Sequence, residues 1–327
     1  MTAATTMTAP ARGARPRGLT WVLFRLHRSA LWFWVMLLAV AAGALLWAYG
    51  PGAHDALVEY REMDCAAPGP SLSCDYTGPA HQRYNTLMAV GAGLINIVPF
   101  LTAAWAGGAL IGRELEDGTA RLAWTQSVTP VRWLAAKLAV PAALIVSGTI
   151  ALTLLHRLAW AAEGPQLREL DWYDPYDSAP YLANGTLAPA YALLGLALGI
   201  LAGLAVRRAL PALATAVMSL IVVSYGLSTL RPHLWPVRTL TDRGEYPSIV
   251  GMFVDEGALT STGARVEDPI CVDDLTCLAD HDVVGFYRDY HPASHFWPLQ
   301  LMETGVVLAV TALAVLAAFR LLRRRTA

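Results

Sequence analysis

Gly112–Lys137 reads GRELEDGTARLAWTQSVTPVRWLAAK. It mixes charges of both signs with two Trp, and it interrupts two long apolar runs. Its local chemistry divides it into pieces. Arg113–Asp117 is short and charged, and Gly118 can end a helical turn. Thr119 can cap the turn that follows, while Leu122 and Trp124 supply apolar contacts. Thr129-Pro130 is an N-cap followed by proline at the first helical position. Arg132, Trp133 and Lys137 then anchor a new helix at a membrane interface. The stretch predicts a helix, a break, a short exposed helix, a second break and a new span.

The flanking sequence supplies the membrane. Of 327 residues, 55% are hydrophobic and 15% charged, against about 25% charged in soluble domains. A hydrocarbon core about 30 Å thick takes about 20 apolar residues in a helix. Six segments meet that length, at about 29–49, 84–111, 134–155, 187–206, 209–229 and 299–322. The sequence therefore predicts an all-α polytopic membrane protein. Residues 1–17 are small, polar and basic and read as a disordered tail. Residues 18–28 mix Trp21, Phe24 and Leu26 with Arg25, His27 and Arg28, the pattern of a short interfacial helix.

Orientation follows from the basic residues. Fifteen of the 24 Lys and Arg fall in residues 1–28, in 112–137, at Arg207-Arg208 and from Arg320 onward. That side is expected to be cytoplasmic, with both termini on it. Residues 112–133 then form the main cytoplasmic break. Segments 51–83, 156–186 and 230–298 lie outside, and the last is long enough for short helices or a small cap.

All four cysteines, Cys65, Cys74, Cys271 and Cys277, lie in those outer segments, as disulfides in an oxidising compartment would. Three connectivities are open; local pairing, Cys65–Cys74 and Cys271–Cys277, is favoured. His281, His291 and His295 lie among aspartates. They lack the H-E-x-x-H spacing of a zinc site, and no metal is expected. Gly195, Gly199 and Gly203 form a small-residue stripe for close helix packing.

The span interiors are nearly free of ionisable groups. Glu303, near the outer end of the last span, is the only acid in any of them. A proton-coupled transporter would place titrating groups near the midplane. The polar residues Asn96, Ser147, Ser219 and Tyr225 could line a path for an amphipathic molecule, or they could bond helix to helix. A phosphate-binding loop needs Gly-Lys-Ser/Thr. The sole lysine, Lys137, stands between Ala136 and Leu138, so any ATP-driven work needs a separate ATPase.

The opening stretch resembles the region after the second span in permease subunits of type-2 ATP-binding-cassette (ABC) exporters, especially actinobacterial ones. The shared pattern falls on Glu116, Gly118, Thr119, Leu122, Trp124, Thr125, Gln126, Arg132, Trp133 and Lys137. A second similarity lies in His291–Gly305, HPASHFWPLQLMETG, where that family enters its last span.

The resemblance implies a permease without an ATP site of its own in a bacterial cytoplasmic membrane. Its partners would be cytoplasmic ABC ATPase subunits that bind ATP and Mg, a second permease subunit and the bilayer, with no nucleic acid. It also implies that Glu114, Glu116, Asp117, Gly118, Thr119, Leu122, Trp124 and Gln126 form the coupling helix that docks on the ATPase. Other readings stay open: an envelope enzyme using the His/Asp-rich outer segment, or a non-transporting sensor or immunity protein of the same fold.

Overall fold

The computed structural model describes residues 19–62, 78–126, 128–162, 176–271 and 274–326. Among these residues six helices are long and apolar enough to cross a membrane: Arg28–Glu62, Pro79–Glu116, Pro130–Ala161, Leu187–Val206, Ala209–His233 and Ala293–Thr326. A short helix, α1 (Leu19–Leu26), precedes them. The first long helix is α2 (Arg28–Trp47), a widened turn at Ala48–Gly52, and α3 (Ala53–Glu62). The second is α4 (Pro79–Trp105), a widened turn at Ala106–Gly112, and α5 (Arg113–Glu116). Then follow α6 (Thr119–Gln126), α7 (Pro130–Ala162), α8 (Ser178–Ala183), α9 (Leu187–Val206) and α10 (Ala209–Leu230).

Several helices outrun the lengths expected from apolar residues alone, and the described parts of 51–83 and 156–186 are correspondingly more helical. The apolar-length rule marks only the part that must sit in hydrocarbon. A helix continues past it while capping and packing hold. The Glu59 carboxylate accepts from the backbone N–H groups of Ala80 and His81 at 2.9 and 3.0 Å. It thereby satisfies two unpaired donors at the start of α4 and ties the end of α3 to it.

α9 is the central helix, two-thirds buried along its apolar window. The glycine stripe decides its neighbour. A Cβ on Gly195 would lie 2.3 Å from the Pro99 carbonyl oxygen, and one on Gly199 would lie 2.7 Å from that of Ala103. Only glycine allows this approach, so α9 packs backbone to backbone on α4. The turn into α10 uses Arg207 at φ 60° and an extended Arg208. The last helix is α12 (Phe296–Thr326). Its Arg325 guanidinium donates to the Leu204 carbonyl at the end of α9. Arg207, Arg208 and Arg325 thus gather at one end of the bundle, the basic end.

Segment 230–298, with room for short helices or a small cap, builds a four-stranded antiparallel sheet in the order β1-β4-β2-β3. The strands are β1 (Arg238–Asp242), β2 (Met252–Thr260), β3 (Arg265–Val266) and β4 (Val283–His291). The Tyr246 ring meets that of Phe286 at a tilt, with centroids 4.6 Å apart, and Arg265 bonds Asp289 at 2.7 Å and lies over the Tyr287 ring. A helix, α11 (Leu275–Asp280), starts at Asp274, whose carboxylate accepts from Thr276 and Cys277 N–H. Cys271 and Cys277 form a disulfide that closes this loop. The expected Cys65–Cys74 pair lies outside the described residues.

Candidate functional site

The stretch 112–137 forms a knob at the basic end. The chain leaves α5 through Asp117 and Gly118, with Gly118 at φ 73°, a conformation other residues adopt only with strain. The Gly118 carbonyl accepts from Arg121 and Leu122 N–H and so opens α6. Thr119 does not cap α6 with its hydroxyl. The hydroxyl turns back and donates to the Glu114 carbonyl at 3.2 Å, satisfying the end of α5 rather than the start of α6. Thr129 caps α7, its hydroxyl accepting from Arg132 N–H at 3.3 Å.

The acidic residues of the knob divide by role. Glu114 points into the bundle and binds Lys137 at 2.6 Å. The Lys137 ammonium also donates to the Leu110 carbonyl at 2.8 Å and sits 5.2 Å from the centre of the Trp133 ring. Its side chain is 3% exposed. One pair therefore joins α5 to α7 across the widened turn. Glu116 reaches the other way and accepts from the Ala209 N–H at 2.8 Å. This is a carboxylate on the positive end of a helix, a favourable placement, and it links the knob to the first turn of α10. Asp117 is exposed and lies 3.7 Å from Arg113.

The face of α6 away from the bundle carries Leu122 and Thr125, both exposed, with Leu122 60% accessible. Trp124 turns inward and meets Trp133 edge to face at 5.5 Å. Gln126 is the last residue of α6. A cavity of about 60 Å³ between the knob, the α9–α10 turn and the end of α12 is lined by Leu115, Arg121, Trp124, Leu204, Arg207 and Leu322, among others. Of the eight expected docking residues, Glu114 and Trp124 therefore face the bundle, Glu116 contacts α10, and Asp117 and Leu122 face away from it.

Beside the knob lies a groove of about 1080 Å³ between α1, α2, α4 and α7. Its walls include Phe24, Leu37, Leu101, Trp105 and Leu144, and its polar end includes Glu114 and Lys137. His27 borders it and meets Trp105 edge to face at 5.4 Å. Burial first, and the Lys137 charge second, hold the His27 pKa down at about 4 rather than the usual 6.5. The packed form is the neutral ring. Its contribution is complete above pH 6.5 and is lost as pH falls through about 4. The hydrogen-exchange protection of α1 amides, relative to the free-chain rate at each pH, is expected to drop over that fall, and His27→Phe to flatten the dependence. Equal pH dependence in that variant would assign the effect to another group.

The residues suggested for a pathway do not share this groove. The Asn96 side chain donates to the Ala179 carbonyl at 3.1 Å, fastening α4 to α8. Ser147 bonds back to Leu144 in its own helix. Ser219 is partly buried on α10, and Tyr225, 71% exposed, stands on the outer surface of the same helix.

Glu303 has a role that its sequence position did not reveal. It is fully buried and takes two bonds from Arg231, at 2.7 and 3.1 Å, and one from the Tyr191 hydroxyl at 2.9 Å. The Arg231 guanidinium lies 4.2 Å over the Tyr181 ring. This cluster joins α8, α9, α10 and α12 at the end of the bundle nearest the sheet. Arg231, just after the α10 apolar run, was legible only as an interfacial charge.

Among the described residues the three histidines do not form one cluster. His291 is buried, contacts the Pro232 carbonyl at 2.9 Å and meets His295 at 3.0 Å. His281 lies with Cys271 and Cys277, their potential ligand atoms within 4.8 Å of one another. Both sulfurs there are taken by the disulfide.

No curated protein and no solved structure matches the chain. The family described as ABC-2 membrane transporter related matches residues 35–231, from within α2 to the end of α10. That interval contains the knob, the groove's principal walls and the glycine-packed pair α4 and α9. With more than half of its residues in the match and six apolar helices to cross a bilayer, this chain belongs to the ABC-2 membrane transporter related family, a family of permease-type membrane components.

Proposed function

We propose that the chain is the permease subunit of an ATP-driven exporter of amphipathic compounds in a bacterial cytoplasmic membrane, of actinobacterial type. The basic end faces the cytoplasm, since Lys and Arg are retained there, and the sheet lies outside. A separate ATPase binds ATP and Mg and grips α6. Two permease subunits form the pathway.

The observation that carries this reading is the mounting of the knob. An exposed Leu122 projects from a short helix whose neighbour α5 is fastened to α7 through Glu114–Lys137 and to α10 through Glu116. A push on α6 therefore reaches two long helices through short, directional contacts rather than through a slack loop. The groove supports the amphipathic class: apolar walls with charged groups at one end suit a molecule of mixed character.

The test is purification from native membranes with and without Leu122→Asp. The parent chain is expected to copurify with an ATPase. The variant is expected to lose it at unchanged melting temperature, because exposed substitutions usually change stability by less than about 0.5 kcal/mol. Retention of the ATPase by the variant would remove Leu122 from the docking surface.

A further inference from the structure

The sheet ends in an open edge. β1 lies at one side of the order β1-β4-β2-β3, and among the described residues it pairs only with β4. All five of its residues, Arg238 to Asp242, are exposed. The opposite edge, β3, is only two residues long. An edge strand presents a row of backbone donors and acceptors for another strand.

The sequence of this edge is self-complementary. In RTLTD, antiparallel pairing with an identical strand about Leu240 sets Arg238 opposite Asp242 at both ends, Thr239 opposite Thr241, and Leu240 opposite itself. Opposite charges and threonine pairs across strands are favourable, whereas like charges directly opposite are not. Edge charges often serve to repel other strands. One basic and one acidic residue placed symmetrically about a central leucine do the reverse for a second copy. Neither Arg238 nor Asp242 is in an ion pair among the described residues. A two-fold contact of this kind is isologous and closes at two copies.

We propose that β1 pairs antiparallel with β1 of a second copy of this chain, with the two-fold axis at Leu240. Arg238 of each copy then meets the partner's Asp242, and the two sheets become one. The inference rests on the reading of the chain as one of two permease subunits, and it makes the two identical.

Cysteine cross-linking in native membranes tests the register. Leu240→Cys is expected to form a disulfide-linked dimer on mild oxidation, since directly opposed residues in an antiparallel pair have Cα atoms about 4.5–5.5 Å apart. Arg238→Cys is expected to cross-link only when co-expressed with Asp242→Cys. Val237→Cys alone is expected to give no dimer, because its counterpart would be about 20 Å away along the strands. Adding Arg238→Asp should cut the Leu240→Cys yield at least tenfold, and adding Asp242→Arg as well should restore it.

If Leu240→Cys stays monomeric while two differently tagged copies still copurify, edge pairing is overturned and the two-copy permease stands. If tagged copies do not copurify, the identical-subunit inference falls with it, and capture of the ATPase then reports separately on the permease reading.

Discussion

Glu303→Ala is expected to destabilise the bundle by about 3–5 kcal/mol, the usual cost of leaving one member of a buried ion pair without its partner. The carboxylate is fully buried and accepts three hydrogen bonds, two from Arg231 and one from Tyr191. Its removal strands a buried guanidinium that keeps, among the described residues, the face of Tyr181. The melting temperature in detergent should fall by on the order of 10 °C. Glu303→Gln should fall less, since an amide can still accept from Tyr191. Removing both charges, with Arg231→Met and Glu303→Leu together, should recover most of the loss, because a buried pair replaced by apolar groups of similar size is often neutral. If the single variant melted with the parent, the cluster would not be what joins α8, α9, α10 and α12.

Lys137→Met is expected to be comparably severe, at about 3 kcal/mol or more, with a different readout. It leaves Glu114 charged in a half-buried site and deprives the Leu110 carbonyl of its donor. The ion pair is the short link between α5 and α7, so the local effect should exceed the global one. Hydrogen exchange of residues 113–126 should quicken more than that of α9, and ATP hydrolysis by the assembled complex should lose its response to transported compound. Glu114→Gln keeps an acceptor for the ammonium and should be milder. Exchange equal to that of the parent across the knob would show that Lys137 does not hold it.

The bundle was legible because its signals are long. Twenty apolar residues mark a span whatever they pack against, and Gly195, Gly199 and Gly203 announced a close helix contact, although only the structure shows that α4 makes it. Gly118 marked the break between α5 and α6, and Thr129-Pro130 the start of α7, through backbone chemistry alone. What escaped were pairings between distant residues. Glu114 and Glu116 are two apart, and sequence gives both the same exposed acidic character. One turns inward to Lys137 and the other outward to Ala209 because the widened turn at Ala106–Gly112 sets α5 between α7 and α10. The sheet was missed for a related reason. β1 is short and wholly exposed, and neither β2 nor β4 alternates cleanly between buried and exposed residues, so no single stretch carries a strong period of two.

The proposal is that α6 is where energy enters from another chain. It is tested most directly by a photo-reactive amino acid placed at Leu122 in native membranes, with the cross-linked partner identified by mass spectrometry. The account predicts an adduct with a chain that carries a Gly-Lys-Ser/Thr phosphate loop, and no such adduct from the same probe at Tyr225. Adducts at Leu122 only with lipid, or only with proteins lacking that loop, would contradict it.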